Sequence, residues 1–498
     1  MNVIGELLRD RSRLNPDLEA VVEGTKRLSF KEYNETVNQL AHYLLERKVE
    51  KGDRVALLCK NSAAFLLVYM AAAKVGAITV PVNWRLKPDE IQWILHDSGA
   101  KVLFYDDSLE SGLPSLDRLE AITTDIRVFE EKFPDALTMG LSTEEPEVLV
   151  EETDPALIIY TSGTTGRPKG VVCTHANVFA AAMSNSYTLD QRFKDRFLFV
   201  TPLFHISGMV LSINALMEGI TVVLRPTFHP VDLWETIESE RITGMMSVPS
   251  MLPFMLEMIK NSDKDVSSLR SIVCGGSRVP EDLIQEFYEL GFPIIQVYGA
   301  TEFTGAITYW MPDMGPMDRC DSVGKGLYLT DIRILDPITH EPMLPGEVGE
   351  IVCRGKQVFL GYWNNKEETE NVLKNGWYHT RDVGKLDADG FLYVIDRLRD
   401  MIICSGEKVF PAEVESVVVQ LDGVSEVAVI GVEDPVWGEI PRAYVVKEKE
   451  SHLTEEMVIS HARNFLADYK LQQVEFVEEL PKNSMGKVLK YVLREYAN

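Results

Sequence analysis

A chain of 498 residues is longer than one ordinary core and points to two or more domains, each with ample length to bury an interior. Its 50 Lys and Arg against 76 Asp and Glu give a formal charge of -26, which argues against a general binder of nucleic acid or of anionic membranes. The six cysteines lie far apart with no Cys-x-x-Cys pair, so neither a zinc knuckle nor a disulfide framework is indicated, and a reducing, cytoplasmic setting fits.

In chain order, Glu6 and Asp10 fall where an export signal would carry its apolar core. Ser29 opens an amphipathic helix through Tyr33, Val37, Leu40 and Leu44, and residues 54–59 follow as an apolar strand. Residues 63–82 are almost wholly apolar over the span a bilayer requires. Lys74, Gly76 and Pro81 break that run into a helix at 63–75 and a strand at 77–80, which is the preferred reading, with peripheral membrane contact left open. A helix at 88–98 and a strand at 101–105 complete a βα series, hence a largely parallel sheet with helices on its faces. The acidic stretch 145–154 reads as a connector and a subdomain boundary.

The apolar run 156–159 then reads as a buried strand, followed by Tyr160-Thr161-Ser162-Gly163-Thr164-Thr165-Gly166-Arg167-Pro168-Lys169-Gly170 and a helix at 174–183. A strand ending in glycines, hydroxyls and two cations suits phosphate, because N–H groups, hydroxyls and charge converge on an anion. Lys169 precedes Gly170, which separates this string from the common nucleotide loop, where glycine stands before lysine. A second βα series has strands at 197–200, 220–224, 244–248, 271–274 and 293–297, with helices at 230–240, 250–259 and 280–290. Two stacked α/β subdomains follow. Beyond residue 323 short strands and glycine turns take over, with a hairpin at 384–395 around Ala388-Asp389-Gly390. After Asp396 a small α+β unit begins, with helices at 411–421 and 454–466 and strands at 424–432, 442–447 and 474–477.

Several short strings carry chemistry. Ligands collect at the C-terminal ends of parallel strands, where Gly275-Gly276-Ser277 and Tyr298-Gly299-Ala300-Thr301-Glu302 fall. An aromatic there can lie on a purine, and a carboxylate can hold Mg2+ against phosphate oxygens. His205 sits in the apolar, glycine-flanked string 202–208. Asp382 and Arg397 are an acid and a base separated by the hairpin: a carboxylate can accept ribose hydroxyls and a guanidinium can reach ribose or phosphate. Lys487 lies on a polar loop beside Gly486.

These strings, in this order and over almost the whole chain, resemble the signatures of the AMP-forming adenylating enzymes, the superfamily of acyl-CoA synthetases, luciferases and adenylation domains. The overall look is nearest to the fatty-acyl-CoA ligases. The resemblance implies a large N-terminal domain, 1–396, made of two stacked α/β subdomains and a small β-rich one, a hinge at 397–400 around Arg399, and a small mobile α+β domain at 401–498. It assigns ATP to Thr161, Ser162, Gly163, Thr164, Thr165, Gly166 and Lys169, to Gly275, Gly276, Ser277, Tyr298, Gly299 and Thr301, and to Asp382 and Arg397. Mg2+ goes to Glu302 with Thr161, and CoA to Ser405, Gly406, Lys408 and Arg442. The acyl pocket goes to Phe204, His205, Met209, Gly299, Phe303 and Ala306, with Lys487, His205 and Glu302 as the catalytic set. The chain departs from the family pattern at Arg381, where glycine is usual, and at Arg399, where Asp or Lys is usual.

The implied activity is ATP-dependent ligation of a carboxylic acid to CoA through an acyl adenylate, followed by attack of the CoA thiol and release of AMP. The apolar residues near Gly299 favour a medium- or long-chain fatty acid or similar acid, since a hydrophobic pocket gains roughly 0.8 kcal/mol per buried CH2. An aryl-CoA ligase and a stand-alone adenylating enzyme loading a carrier protein are the alternatives. A luciferase-like oxygenase would share the first half-reaction. The partners are then small molecules and not nucleic acid, with a homodimer left open.

Overall fold

The computed structural model describes residues 3–112, 124–127, 134–161, 168–260, 262–315, 317–404, 407–434, 438–449, 451–482 and 488–497. They divide into two compact units, Met1–Ile332 with Cys353–Tyr378, and Arg333–Val352 with His379–Asn498.

Two large sheets of the described residues lie in the first unit. One runs in the order Gly361–Tyr362, Lys169–Thr174, Pro155–Thr161, Ile78–Pro81, Arg54–Leu58, Ala100–Tyr105 and Thr124–Arg127. Its central strands Ile78–Pro81 and Arg54–Leu58 pair in parallel and are apolar and buried nearly throughout, as strands covered on both faces must be. The second has nine strands, ordered Lys325–Gly326, Gly305–Trp310, Ile294–Ala300, Ser271–Gly275, Gly244–Ser247, Arg196–Phe199, Thr221–Leu224, Glu19–Glu23 and Lys26–Ser29. Residues of both sheets share one core with helices Ile4–Leu14, Phe30–Glu46, Ala63–Lys74, His175–Thr188 and Ile206–Glu218.

Local chemistry explains where these helices begin. Ser29 accepts from Glu32 N while the Glu32 carboxylate accepts from Ser29 N, a reciprocal cap that starts Phe30–Glu46. The apolar run expected to break at Lys74 does so: every residue of Ala63–Lys74 is buried, and the strand Ile78–Pro81 follows. No helix among the described residues is long and apolar enough to cross a membrane.

Three expectations change. The phosphate-loop string does not lead straight to a helix, because Lys169 and Gly170 already belong to the strand Lys169–Thr174, antiparallel to Pro155–Thr161. The helix His175–Thr188 begins only after it, capped by Thr174. That hairpin joins the first sheet, so 145–154 does not separate the subdomains: the chain returns to the earlier sheet before building the second. The N-terminal helix Ile4–Leu14 and the hairpin Glu19–Glu23 with Lys26–Ser29 were not foreseen, and that hairpin extends the second sheet through parallel pairing with Thr221–Leu224.

In the second unit, residues 382–386 of strand Trp377–Leu386 pair antiparallel with Leu392–Arg397 around the expected turn. A five-stranded sheet joins Glu407–Val409, Ile402–Cys404, Gly438–Lys447, Val424–Asp434 and Gln473–Val477. Helices Pro411–Val418, Glu455–Arg463 and Lys490–Ala497 accompany it, and its core gathers Val414, Val429, Val445, Val458 and Leu493.

Candidate active site

Thr161 and Lys169 lie directly opposite each other at the loop end of the hairpin. Ser162, Gly163, Thr164, Thr165 and Gly166, between them in sequence, lie outside the described residues. Lys169 Nζ donates to Glu368 Oε1 at 2.5 Å and stands 5.6 Å from the centroid of the Tyr362 ring. The two charged side chains are 13% and 15% exposed. Their meeting is built by the segment after residue 360. Gly361–Tyr362 pairs antiparallel with Val171 and Val172, and Trp363 N donates to Gly170 O at 2.7 Å. Asn365 then caps the short helix Lys366–Val372, its Oδ1 accepting from Glu368 N at 3.1 Å.

Glu302 lies in a single 3-10 turn, Thr301–Phe303, at the C-terminal end of strand Ile294–Ala300. The turn closes at Thr304, whose φ of 52° is held by a bond from its Oγ1 to Gln357 O at 2.6 Å. Tyr362 Oη donates to Glu302 Oε1 at 2.7 Å, and Phe359 N donates to Glu302 O at 2.9 Å. Lys169 and Glu302 are therefore brought to the face and the hydroxyl of one tyrosine. Sequence reading missed Tyr362 and Glu368. The available signal was Gly361-Tyr362-Trp363 followed three residues after Asn365 by a carboxylate, the spacing of a capped helix start.

Tyr298 packs, partly buried, against the core shared by the two sheets. Gly275 closes its strand, and Gly276 and Ser277 are exposed beyond it. Gly299 has a packing reason of its own: a Cβ there would stand 2.1 Å from Gly305 O, across the irregular pairing with Gly305–Trp310. Phe204, Met209 and Phe303 are buried together in the shared core, at 5%, 1% and 0% exposure. Ala306 is not with them; it packs against Leu189, Val273, Ile295, Tyr309 and Leu327.

His205 is the N-cap residue of helix Ile206–Glu218, its ring 4.5 Å from that of Phe204. Gly208 allows this tight entry, because a Cβ on it would meet Leu203 Cα at 2.6 Å. Burial, with Arg85 nearby, pushes the imidazole down to about 4, so the ring is neutral at neutral pH.

Within the second unit, Asp382 stands directly opposite Arg397, with Nε 2.8 Å from the buried carboxylate. Arg381 has φ 59°, the left-handed conformation that glycine adopts without strain, and its N–H donates to Glu350 Oε1 at 3.3 Å. Glu350 also meets His379 Nδ1 at 2.8 Å. Arg399 lies in the turn Leu398–Asp400, its Nε 3.8 Å from Asp400, which also takes Arg494 at 2.7 Å. Arg442 donates from Nε to Gln473 Oε1 at 2.8 Å and is 3.7 Å from Glu475. Lys408 lies in the strand Glu407–Val409, opposite Ile403. Ser405, Gly406 and Lys487 lie outside the described residues.

Lys169 stands among two carboxylates, Glu368 and, through Tyr362, Glu302, so a polyanion arriving here needs further positive charge. No cluster of three or more His, Cys, Asp or Glu side chains suited to a metal occurs among the described residues. Glu302 offers one carboxylate, and Mg2+ takes most of its ligands from phosphate and water, so a single protein carboxylate fits that ion.

Comparison with known proteins gives two family matches, "AMP-binding enzyme" over residues 8–363 and "AMP-binding enzyme C-terminal domain" over residues 413–487. A long-chain-fatty-acid–CoA ligase of Mycobacterium tuberculosis is 38% identical over 99% of this chain and 98% of its own. A feruloyl-CoA synthase of an Amycolatopsis species is 37% identical, covering 97% of each. Among solved structures, an o-succinylbenzoate coenzyme A synthetase of Bacillus subtilis in complex with ATP and magnesium ion superimposes with a TM-score of 0.86 at 33% identity, over 99% of this chain and 98% of its own.

Proposed function

Because this chain belongs to the AMP-binding enzyme family, we propose that it joins an apolar carboxylic acid, a medium- or long-chain fatty acid or a similar compound, to coenzyme A through an acyl adenylate. It is an acid–thiol ligase that forms AMP and pyrophosphate. The observation that carries the reading is the meeting of Lys169 and Glu302 on Tyr362, at the loop end of the hairpin of Pro155–Thr161 with Lys169–Thr174.

The carboxylate of the acid attacks the α-phosphorus of ATP. Two anions must be held in line while charge builds on the leaving pyrophosphate, so positioning and neutralisation supply most of the catalysis. Lys169 would hold the pyrophosphate oxygens with the loop residues Thr161, Ser162, Gly163, Thr164, Thr165 and Gly166. Glu302 with Thr161 would hold Mg2+, which when bound neutralises triphosphate charge. Gly275, Gly276, Ser277 and Tyr298 would take the adenine, Thr301 the phosphate region, and Asp382 and Arg397 the ribose. Lys487 would bridge the carboxylate and the α-phosphate. The thiol of CoA then attacks the adenylate carbonyl, with Gly406 and Ser405 beside the pantetheine arm and Lys408 and Arg442 meeting CoA phosphates. In this reading 1–396 is the adenylating domain, 401–498 the small domain, and Arg399 the hinge.

Phe204, Met209 and Phe303, buried in one apolar cluster beside the neutral His205, support an apolar acid. An aryl acid is the second reading, since the feruloyl-CoA synthase, at 37% identity, is nearly as similar to this chain as the fatty-acid ligase at 38%. Pyrophosphate release across a panel of aliphatic and aryl acids, with and without CoA, tests both. The expected outcome is CoA-dependent turnover with kcat/KM rising with aliphatic chain length. A maximum on hydroxycinnamic or benzoic acids would select the aryl reading, and cleavage of ATP without CoA turnover would refute the ligase assignment.

A further inference from the structure

Lys169 already has an anion. We propose that Glu368 is the resident counter-ion of Lys169, occupying a nucleotide phosphate's place on the ammonium until triphosphate or pyrophosphate displaces it, and thereby setting how fast pyrophosphate leaves. The inference rests on reading Lys169 as a phosphate ligand.

The pair is short, at 2.5 Å, and both side chains are largely withdrawn from water, so each charge is costly to leave alone. Glu368 is also fixed rather than free to wander. Asn365 caps its N–H, Thr369 Oγ1 donates to Asn365 O at 2.8 Å, and the same hydroxyl accepts from Tyr362 N at 2.8 Å. This segment is annealed to the strand that bears Lys169, through Gly361, Tyr362 and Trp363. Its Tyr362 hydroxyl meanwhile holds Glu302. One short stretch of chain thus holds both charged groups expected at the triphosphate.

An ammonium with three donors can touch a carboxylate and a phosphate together, but the two anions then repel each other in a partly dry site. Trading one for the other avoids that repulsion. An arriving triphosphate competes with Glu368, and a departing pyrophosphate is helped away when the carboxylate returns. Glu368 acts through Lys169, as a positioning residue.

Isothermal titration of the full chain with magnesium pyrophosphate tests this. Glu368→Gln should tighten pyrophosphate about tenfold and lower kcat together with KM for ATP. In a Lys169→Gln background the same change should have no effect on pyrophosphate affinity. Glu368→Asp, which keeps the charge one methylene further back, should tighten it less than Glu368→Gln, and serves where the latter does not fold. Unchanged or weakened binding in Glu368→Gln would overturn the exchange. A Lys169→Gln chain that binds pyrophosphate as the parent does would instead overturn the phosphate reading of Lys169 itself.

Discussion

His175 is fully buried at the first position of helix His175–Thr188, and neither ring nitrogen has a hydrogen-bond partner among the described residues. Burial lowers it from the ordinary 6.5 to about 4, with Asp154 opposing the shift and Lys51 adding to it. The unfolded chain therefore takes up a proton between pH 6.5 and 4 that the folded chain refuses. Above that window the ring is neutral in both states and contributes no pH dependence. Within it, stability falls by about 1.4 kcal/mol per pH unit, to a total of about 3 kcal/mol. His175→Leu removes the titration together with two unpaired polar atoms. The measurement is urea unfolding of parent and variant at pH 7.5 and 5.5, reading the change with pH and not the stability itself, so any packing change in the variant cancels. The parent should lose about 1 kcal/mol more than the variant across that interval. Equal pH dependence in the two would refute the claim that a buried neutral imidazole at 175 sets acid sensitivity.

Lys74 donates to Asn34 and Asn38 at 2.8 and 2.7 Å and to Glu145 at 2.5 Å, with its side chain 3% exposed and that of Glu145 37% exposed. Lys74→Met should cost about 3 kcal/mol, at the low end for breaking a buried pair because Glu145 can still reach water; adding Glu145→Gln should recover part of the loss, and additive losses in a urea series would contradict the pairing. Arg381→Gly relieves a φ of 59°, worth about 1 kcal/mol, and should tighten ATP binding by calorimetry, whereas unchanged ATP affinity would show that the conformation does not matter to the ribose.

Local signals were legible. Ser29 and Glu32 announce a reciprocal cap, and Pro88–Ser98 begins and ends as its proline and following glycine require. What escaped the sequence was long-range. Residues 169–174 become a strand only through Pro155–Thr161, and the short β-branched run after a glycine and a proline gives little periodicity. Lys74 looks like an interruption of an apolar run, yet its satisfying carboxylate lies 71 residues away, in a stretch that reads as solvated connector. Glu368 lies 199 residues from Lys169, and no spacing rule links them. Arg381 was different, because a family pattern that places glycine there marks a left-handed backbone, and the structure has it.

Three of the cations proposed to meet the nucleotide or the coenzyme each have a carboxylate near them within their own unit. Lys169 has Glu368 at 2.5 Å, Arg397 has Asp382 at 2.8 Å, and Arg442 has Glu475 at 3.7 Å. A chain with a charge of -26 cannot leave such groups bare without attracting their neighbours' carboxylates. On the proposed assignments a phosphate ligand would exchange partners instead of filling an empty positive site, so its net gain would be the difference between two ion pairs, smaller than either alone. Such an exchange would hold product anions weakly enough to leave, which turnover requires as much as it requires binding.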